Sequence, residues 1–268
     1  MAAGQGFADR CLTDAESREI VGAALTPEEY RDKRVLVLVP DHTRSAPIPF
    51  FFRLLCDHLR PMTKQLDFMV ALGTHPPMTE GQIGALVDMP RPDRERAYPG
   101  VSIFNHHWDN PDHLADLGTI GADEIEQISR GLLREEVPVR LNKRVLDYDL
   151  VLVLGPTFPH EVVGFSGGNK YFFPGIASRE IIDFTHWLGA LMTNPVIIGN
   201  KHTPVRAVID RAAAMIPVER RCLSMVVTHA GLQGLYYGTP EDAWSDAADL
   251  SDQVHIVYKE RSYDRVLS

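Results

Sequence analysis

The residues of this sequence that could do chemistry follow its short apolar segments. Asp41, Thr43 and Arg44 come directly after the first segment, His75 follows the second, and His160 lies a few residues after a later one. An imidazole has a pKa near neutrality, so it can take up and release protons under physiological conditions. In open α/β sheets, ligands bind at the carboxyl ends of the strands, where these loops would lie. The spacing therefore predicts one small-molecule site assembled from several loops.

Histidines are concentrated at this expected edge of the sheet. Of the eleven histidines, those at or just beyond the ends of apolar segments are His42, His75, His106, His107, His160 and His229. A purely structural edge would not require so many imidazoles, so the set as a whole favours a site. Taken singly, His75 could equally be a satisfied loop histidine, and at least one of the adjacent His106 and His107 is expected to be structural.

A glycine-rich loop that leads into a lysine is the second feature. Ser166, Gly167 and Gly168 can turn consecutive backbone N–H groups in one direction and form a nest for an anion. Lys170 can serve as a cation for that anion or as a nucleophile for covalent attachment of a cofactor. The spacing differs from that of a Walker-type loop, so a nucleotide site of that kind is excluded. The alternatives are a simple tight turn and an ordinary surface lysine.

Two further features have a plain structural alternative. Residues 41–44 can be an Asx turn with a local pair between Asp41 and Arg44. His186 lies among apolar residues at helical spacing, and this periodicity alone predicts a buried, hydrogen-bonded core histidine. The clustering of the polar residues makes a site the stronger interpretation.

The elements that must position these residues alternate along the chain. Strands are expected at residues 34–39, 67–72, 101–105, 149–154, 223–228 and 254–258, and helices at 47–60, 79–87, 178–192, 203–215 and near 241–250. Such alternation predicts an α/β fold: a Rossmann-like, mainly parallel sheet with helices on both faces. Residues 89–100 are expected to form a surface loop, and residues 263–268 to begin a further element.

Composition narrows the class of protein. The 268 residues are 44% apolar and 24% charged with a formal net charge of −9, and no run of Lys or Arg stands out. A nucleic-acid partner is therefore not expected. No segment is long and apolar enough to predict a membrane span, and the first ten residues lack the apolar core of a signal peptide. The three widely spaced cysteines argue against disulfides and a cysteine zinc site, so a cytoplasmic location is expected.

Three segments resemble the signature motifs of the nickel-pincer-dependent lactate racemase family. They are DHTR at residues 41–44, ALGTH at 71–75 and HEVVGFSGGNKYFFPGIASRE at 160–180, and a further histidine of the family falls at His186. The resemblance extends from about residue 35 to residue 268. Two positions depart from the family pattern: Asn169 stands where arginine is common, and Ser45 stands where proline is usual.

The resemblance implies a cofactor and a role for each motif residue. Family members carry a nickel pincer nucleotide (pyridinium-3,5-bisthiocarboxylic acid mononucleotide nickel) joined through a thioamide to a lysine that matches Lys170. A histidine that matches His186 binds the nickel. His75 and His160 would act as acid and base on opposite faces of the substrate, and Arg44 would orient its carboxylate. The residues expected to help hold the cofactor are Asp41, Thr43, Ser166, Gly167 and Gly168.

The implied reaction is racemisation or epimerisation of a 2-hydroxy acid. The Cα–H of such an acid is too weakly acidic for removal by a histidine, whereas transfer as hydride to a pyridinium avoids a carbanion. Two histidines are needed because the hydroxyl lies on opposite sides in the two enantiomers. The alternatives are a lysine- or metal-dependent lyase or hydrolase without the pincer, and a non-catalytic anion-binding module.

Family members are longer than this chain and have a second domain that closes over the substrate. Residues 1–268 are therefore expected to correspond to the cofactor-binding N-terminal domain, and the chain alone to be inactive. The surface that the second domain would cover is expected to be buried by dimerisation or to be locally disordered. The expected partners are a small 2-hydroxy acid and the enzymes that build the cofactor, which recombinant protein is expected to lack.

Overall fold

The computed structural model describes residues 2–259, so the further element expected at residues 263–268 lies outside the described part. Within residues 2–259 the strands are β1 (Ala3–Gly6), β2 (Arg34–Val39), β3 (Gln65–Val70), β4 (Ile103–Asn105), β5 (Leu114–Ile120), β6 (Val137–Asn142), β7 (Leu150–Pro156), β8 (Pro159–His160), β9 (Gly164–Phe165), β10 (Glu219–Thr228) and β11 (Gly231–Gly238). The helices are α1 (Asp14–Ala24), α2 (Pro27–Tyr30), α3 (Ile48–Leu59), α4 (Glu80–Leu86), α5 (Arg91–Ala97), α6 (Ala122–Ile128), α7 (Arg179–Met192), α8 (Asn194–Ile197), α9 (Pro204–Ala213) and α10 (Pro240–His255). Over this described range, no helix is both long enough and apolar enough to cross a membrane.

One seven-stranded sheet has the order β1-β11-β10-β7-β2-β3-β4. Strands β10, β7, β2, β3 and β4 run parallel, whereas β11 is antiparallel to both of its neighbours. The chain passes from β2 outward to β3 and β4, and later from β7 outward to β10 on the other side. The predicted α/β fold with a mainly parallel sheet is confirmed, and the direction of winding changes between β2 and β7.

Strand β2 shows why both faces of the sheet are covered. Its valines, Val35, Val37 and Val39, face one apolar layer, and its leucines, Leu36 and Leu38, face the other. Side chains alternate along a strand, so a continuous apolar run needs cover on both sides. Helices α1, α3 and α4 contribute to the first layer, and α6, α7 and α9 contribute to the second together with the hairpin of β5 and β6.

Three sequence expectations differ from the structure. Residues 89–100 are not a loop, because they contain α5, whose buried side chain is Arg94. Arg94 lies 2.7 Å from a carboxylate oxygen of Glu80, so an ion pair helps to hold this helix in place. The helix has no apolar stripe from which the sequence could have predicted it. Residues 254–258 are not a strand, because α10 continues to His255. The strand predicted at residues 67–72 is β3, which begins two residues earlier, at Gln65. The buried Asp67 within it accepts a hydrogen bond from the hydroxyl of Tyr148.

His106 is a structural histidine just after β4. Its side chain is fully buried, its Nε2 lies 3.0 Å from the carbonyl oxygen of Ala177, and its Nδ1 lies 3.2 Å from the amide nitrogen of Asn142. These partners define a ring that donates through Nε2 and accepts through Nδ1. Burial lowers the pKa of His106 to about 4, so the ring is neutral near pH 7. The expectation that at least one of His106 and His107 is structural is confirmed.

Replacing His106 with alanine is expected to lower the free energy of unfolding by about 2–4 kcal/mol, because Asn142 and the Ala177 carbonyl lose a buried partner. The stability contributed by the neutral ring is present above pH 6.5, its ordinary pKa, and is lost as the pH falls towards about 4. Urea unfolding at neutral and acidic pH measures both effects. The control, His107→Ala at the partly exposed neighbouring position, should cost less than about 1 kcal/mol. Equal losses in the two variants would contradict the assignment.

Candidate active site

A cavity of about 240 Å³ opens at the carboxyl ends of β2, β3 and β7. It lies where the direction of winding changes, which is where open α/β sheets bind ligands. Thr43 and Gly168 lie beside the cavity without lining it. The other residues predicted for the site all line it: Asp41, Arg44, His75, His160, Ser166, Gly167, Lys170 and His186.

Asp41 and His75 form a pair between the loops that follow β2 and β3. Oδ2 of Asp41 lies 2.5 Å from Nδ1 of His75, while its Oδ1 accepts the backbone N–H and the hydroxyl proton of Thr43. Burial alone would raise the pKa of Asp41, but the hydrogen bonds from Thr43 and His75 outweigh it, and the pKa is lowered. In the neutral form of His75, an ionised Asp41 accepts a hydrogen bond from Nδ1–H, so Nε2 carries the free lone pair. The Asx turn considered from the sequence is present, and its carboxylate also orients a histidine.

His160 enters the cavity from the β8–β9 hairpin and is 8% exposed. Its Nδ1 accepts the backbone N–H of Val162 at 3.1 Å, which leaves the ring proton of the neutral form on Nε2. Burial, and then the positive charges of Lys170 and Arg44, lower the pKa of His160 to about 3. The ring is therefore neutral near pH 7. The two histidines present different groups, a lone pair from His75 and an N–H from His160.

Arg206 holds the glycine-rich loop from behind. One of its terminal guanidinium nitrogens donates to the carbonyl oxygen of Gly167 at 3.2 Å, and the other donates to that of Phe165. The backbone φ angle at Gly167 is 84°, and a Cβ there would lie 2.3 Å from the hydroxyl of Thr157. Glycine is thus required at this position by both conformation and space.

The polar groups of Ser166 form hydrogen bonds within the protein. Its N–H donates to the carbonyl oxygen of Phe158, and its hydroxyl accepts the Phe158 N–H and donates to the carbonyl oxygen of Pro156. Its own carbonyl oxygen accepts the indole N–H of Trp244 at 2.8 Å. At Gly168, where φ is 58°, a Cβ would lie 2.8 Å from the Cβ of Trp244. Of the three residues of the predicted nest, Ser166 and Gly167 line the cavity and Gly168 does not.

Lys170 is a cavity lysine, carried by a single 3₁₀ turn (Gly168–Tyr171). Burial of its amine, and then repulsion from Arg44 and Arg206, lower the pKa of Lys170 to about 8. Glu161 at the mouth of the cavity acts in the opposite direction but is outweighed. A lysine with a lowered pKa has a substantial unprotonated fraction near neutrality, and that fraction is nucleophilic.

His186 lines the cavity from α7 and is exposed, so the prediction of a buried core histidine from periodicity alone is wrong. The apolar side of α7 is formed by Ile181, Phe184 and Leu188, and a helix of this period places His186 on the opposite side. Its Nδ1 lies 2.7 Å from the carbonyl oxygen of Ile182 and must donate to it. Nε2 of His186 then carries the lone pair that a metal ligand needs.

The site uses fewer of the histidines than the sequence grouped together. His75 and His160 line the cavity, whereas the remaining members of that group do not: His42, His106, His107 and His229. Within the described range, no three His, Cys, Asp or Glu side chains come together as a metal-binding group.

Sequence reasoning missed three residues that shape the site. The ring of Phe158 lies 5.6 Å from the guanidinium carbon of Arg44, and Tyr171 lines the cavity beside Lys170. Arg206 gave no signal beyond its charge, because an arginine on an amphipathic helix ordinarily faces solvent. The long apolar run after Lys170, which includes Tyr171, could have indicated a buried segment.

Known proteins of one family are similar to this chain. The family model described as the lactate racemase N-terminal domain matches residues 18–196. A lactate racemase of Thermoanaerobacterium thermosaccharolyticum is 29% identical over 156 residues, which cover 58% of this chain and 32% of that protein. A lactate racemase of Lactiplantibacillus plantarum is 25% identical over 169 residues, which cover 62% of this chain and 35% of that protein. The matched part is about a third of the length of these curated relatives.

Solved structures give the same fold. A crystal structure of a protein from Thermotoga maritima superposes with a TM-score of 0.83 at 31% identity, covering 96% of this chain and 62% of that one. The lactate racemase apoprotein from Thermoanaerobacterium thermosaccharolyticum superposes with a TM-score of 0.69 at 21% identity, covering 94% of this chain and 58% of that one. The second likeness shows the fold alone, and both structures contain chain beyond the superposed part.

Acylation of Lys170 by acetic anhydride is expected to rise with a midpoint near pH 8, the lowered pKa of its amine. In Arg44→Gln the midpoint should move upward, because one of the charges that repel the ammonium is gone. Arg44→Lys keeps that charge and is the matched control. Peptide mass spectrometry follows Lys170 and the exposed Lys64 in the same digest, so that reagent decay is corrected. An unchanged midpoint in Arg44→Gln would contradict the electrostatic account.

Proposed function

The chain belongs to the lactate racemase N-terminal domain family, and we propose that it is the cofactor-binding part of a racemase or epimerase of 2-hydroxy acids. The observation that carries this proposal is that two histidines, a guanidinium and a lysine with a lowered pKa line one cavity. Each of these groups matches a step of the reaction. The chain spans only part of its longer relatives, so the proposal concerns the residues that this part supplies.

Arg44 is the group that would receive the substrate carboxylate. It lies at the mouth of the cavity with its guanidinium over the ring of Phe158, which limits the directions from which an anion can approach. Arginine binds a carboxylate through two parallel hydrogen bonds, which fixes the orientation of a small acid as well as its position. A 2-hydroxy acid held in this way can present its hydroxyl to a neighbouring histidine.

His75 is the proposed base for the hydroxyl proton. Asp41 accepts a hydrogen bond from the Nδ1–H of His75 and leaves Nε2 free to accept a proton, and the ionised Asp41 also stabilises the imidazolium that forms. His160, which lies on a different loop, would serve the opposite enantiomer. Proton transfer at two separate histidines accounts for a reaction in which the hydroxyl ends on either side of the flat keto acid.

The cavity residues fit the pincer nucleotide that the family uses. Lys170 has the lowered pKa that favours formation of an amide-type link, and Nε2 of His186 is free to bind nickel. Asp41, Thr43 and the Ser166, Gly167 and Gly168 loop would help hold it. When bound, this group would supply the acceptor for the hydrogen at Cα, which a histidine cannot remove as a proton.

Attachment of the cofactor at Lys170 would also change the pKa of His160. Its pKa is lowered by burial and then by the charges of Lys170 and Arg44. An amide-type link removes the charge of Lys170, and a substrate carboxylate offsets that of Arg44. Both changes raise the pKa of His160 towards neutrality, where an imidazole transfers protons most effectively. The proposed tether and the proposed substrate contact thus prepare the same histidine.

Protein co-expressed with the enzymes that build the pincer nucleotide is expected to gain the mass of the cofactor and about one nickel per chain. Lys170→Ala should lose the covalent mass gain. His186→Ala should keep it and lose nickel, because the tether and the metal ligand are different residues. Lys64→Ala, at an exposed lysine, is the control. Intact mass and metal analysis measure both properties, and a wild-type chain with neither adduct nor nickel would favour a pincer-free enzyme.

Racemisation of L-lactate by the loaded chain, fused to the second domain of a longer relative, is expected to fall by at least about a hundredfold in His75→Ala and in His160→Ala, since each removes a proton-transfer group. Both variants should retain nickel and the covalent adduct, which separates loss of chemistry from loss of cofactor. His107→Ala, which lies outside the cavity, is the matched control. Chiral chromatography of the product measures the rate. Wild-type rates in both cavity variants would contradict the catalytic assignment.

A further inference from the structure

A second cavity, of about 350 Å³, lies behind the glycine-rich loop and is separate from the candidate active site. The start of α9 and the end of α6 form its walls. Its lining contains three cationic side chains and no residue proposed for the reaction. The lining residues that matter here are Arg130, Lys201, His202, Arg206, Asp210 and Trp244.

Arg206 is the central group of this cavity. It is 3% exposed, its guanidinium carbon lies 4.2 Å from the centre of the Trp244 ring, and its two terminal nitrogens donate to the backbone of the glycine-rich loop. Its Nε is buried, and no acceptor for its proton is found among residues 2–259. A buried N–H without a partner is costly when it belongs to a charged group. A ligand oxygen that reached Nε would supply the missing acceptor.

The charges around Arg206 favour an anion. Arg130 is exposed at the rim and Lys201 is half-buried, and Lys201 is also paired with Asp249. Asp210 is the acidic side chain of the lining, and it accepts a hydrogen bond from the Asn169 amide. The first turn of α9 adds the positive end of a ten-residue helix. A cationic cavity in a chain with a net charge of −9 is a local feature and does not follow from the overall composition.

We propose that this second cavity binds a small phosphate-bearing anion. Arg130, Lys201 and Arg206 approach it from different elements, and a tetrahedral phosphate offers oxygens in several directions, whereas a carboxylate offers two in one plane. Arg206 joins this cavity to the first, because its terminal nitrogens hold the carbonyl oxygens of Phe165 and Gly167. An anion on Arg206 therefore stiffens the loop that carries Lys170.

Isothermal titration with inorganic phosphate tests the proposal. Arg130→Glu and His202→Glu, both at exposed lining positions, are expected to weaken phosphate binding at least about tenfold, because each places a negative charge at the rim. Arg134→Glu reverses an exposed charge outside the lining and is the control, with unchanged affinity. Thermal melting without phosphate checks that all three variants fold.

The first cavity could also attract phosphate, so Arg44→Gln is measured alongside. Unchanged affinity in Arg44→Gln, together with the losses above, supports binding at the second cavity. Loss in Arg44→Gln with wild-type affinity in Arg130→Glu and His202→Glu would overturn the proposal, as would no binding to the wild-type chain. In the expected case, phosphate also slows amide hydrogen exchange in residues 165–170, and this slowing is lost in Arg130→Glu.

Discussion

The parallel pairing of β2 with β7, where the direction of winding changes, is the constraint on which the rest of the cavity depends. The chain leaves β2 towards β3 and leaves β7 towards β10, so the loops that follow these two strands part and a crevice opens. The end of β7 must also lack a side chain at residue 155, since a Cβ on Gly155 would lie 1.7 Å from the hydroxyl of Tyr171. Glycine there lets an aromatic ring line the crevice, and residues 41–44 and 156–170 can face each other across it.

The same packing separates positive from negative charge. Arg44, Lys170 and Arg206 lie close enough for the two arginines to lower the pKa of the lysine between them. The carboxylates that balance them, Asp210 and Glu241, lie on the far side of Arg206, where both accept hydrogen bonds from the Asn169 amide. The positive charge of Arg206 is therefore balanced from within the protein, and the candidate active site keeps a net attraction for anions. The side chain of Asn169 thus takes part in that balance.

Local patterns could predict the frame of the molecule but not its long-range pairs. The apolar run of β2 predicted a strand buried on both faces because a continuous apolar run can be recognised within the segment itself. Periodicity misplaced His186, since it records which residues are apolar and not where a helix passes the edge of a cavity. The bond between Asp41 and His75 joins loops that are distant in sequence, and the burial of Arg206 depends on Trp244 from another helix. Neither pairing leaves a trace in residue spacing.

Binding of a ligand would change the balance of these charges. The cations of the cavity repel one another, and His160 is held neutral by burial and by the charges of Lys170 and Arg44. A bound carboxylate and an uncharged link at Lys170 would each remove one source of repulsion. Binding would therefore be favoured by the loss of repulsion between the cations as well as by their attraction for the ligand. The apolar layers around β2 lie away from these groups and can stabilise the fold in both states. A site can hold unfavourable charges in this way because the elements that position it are stable without it.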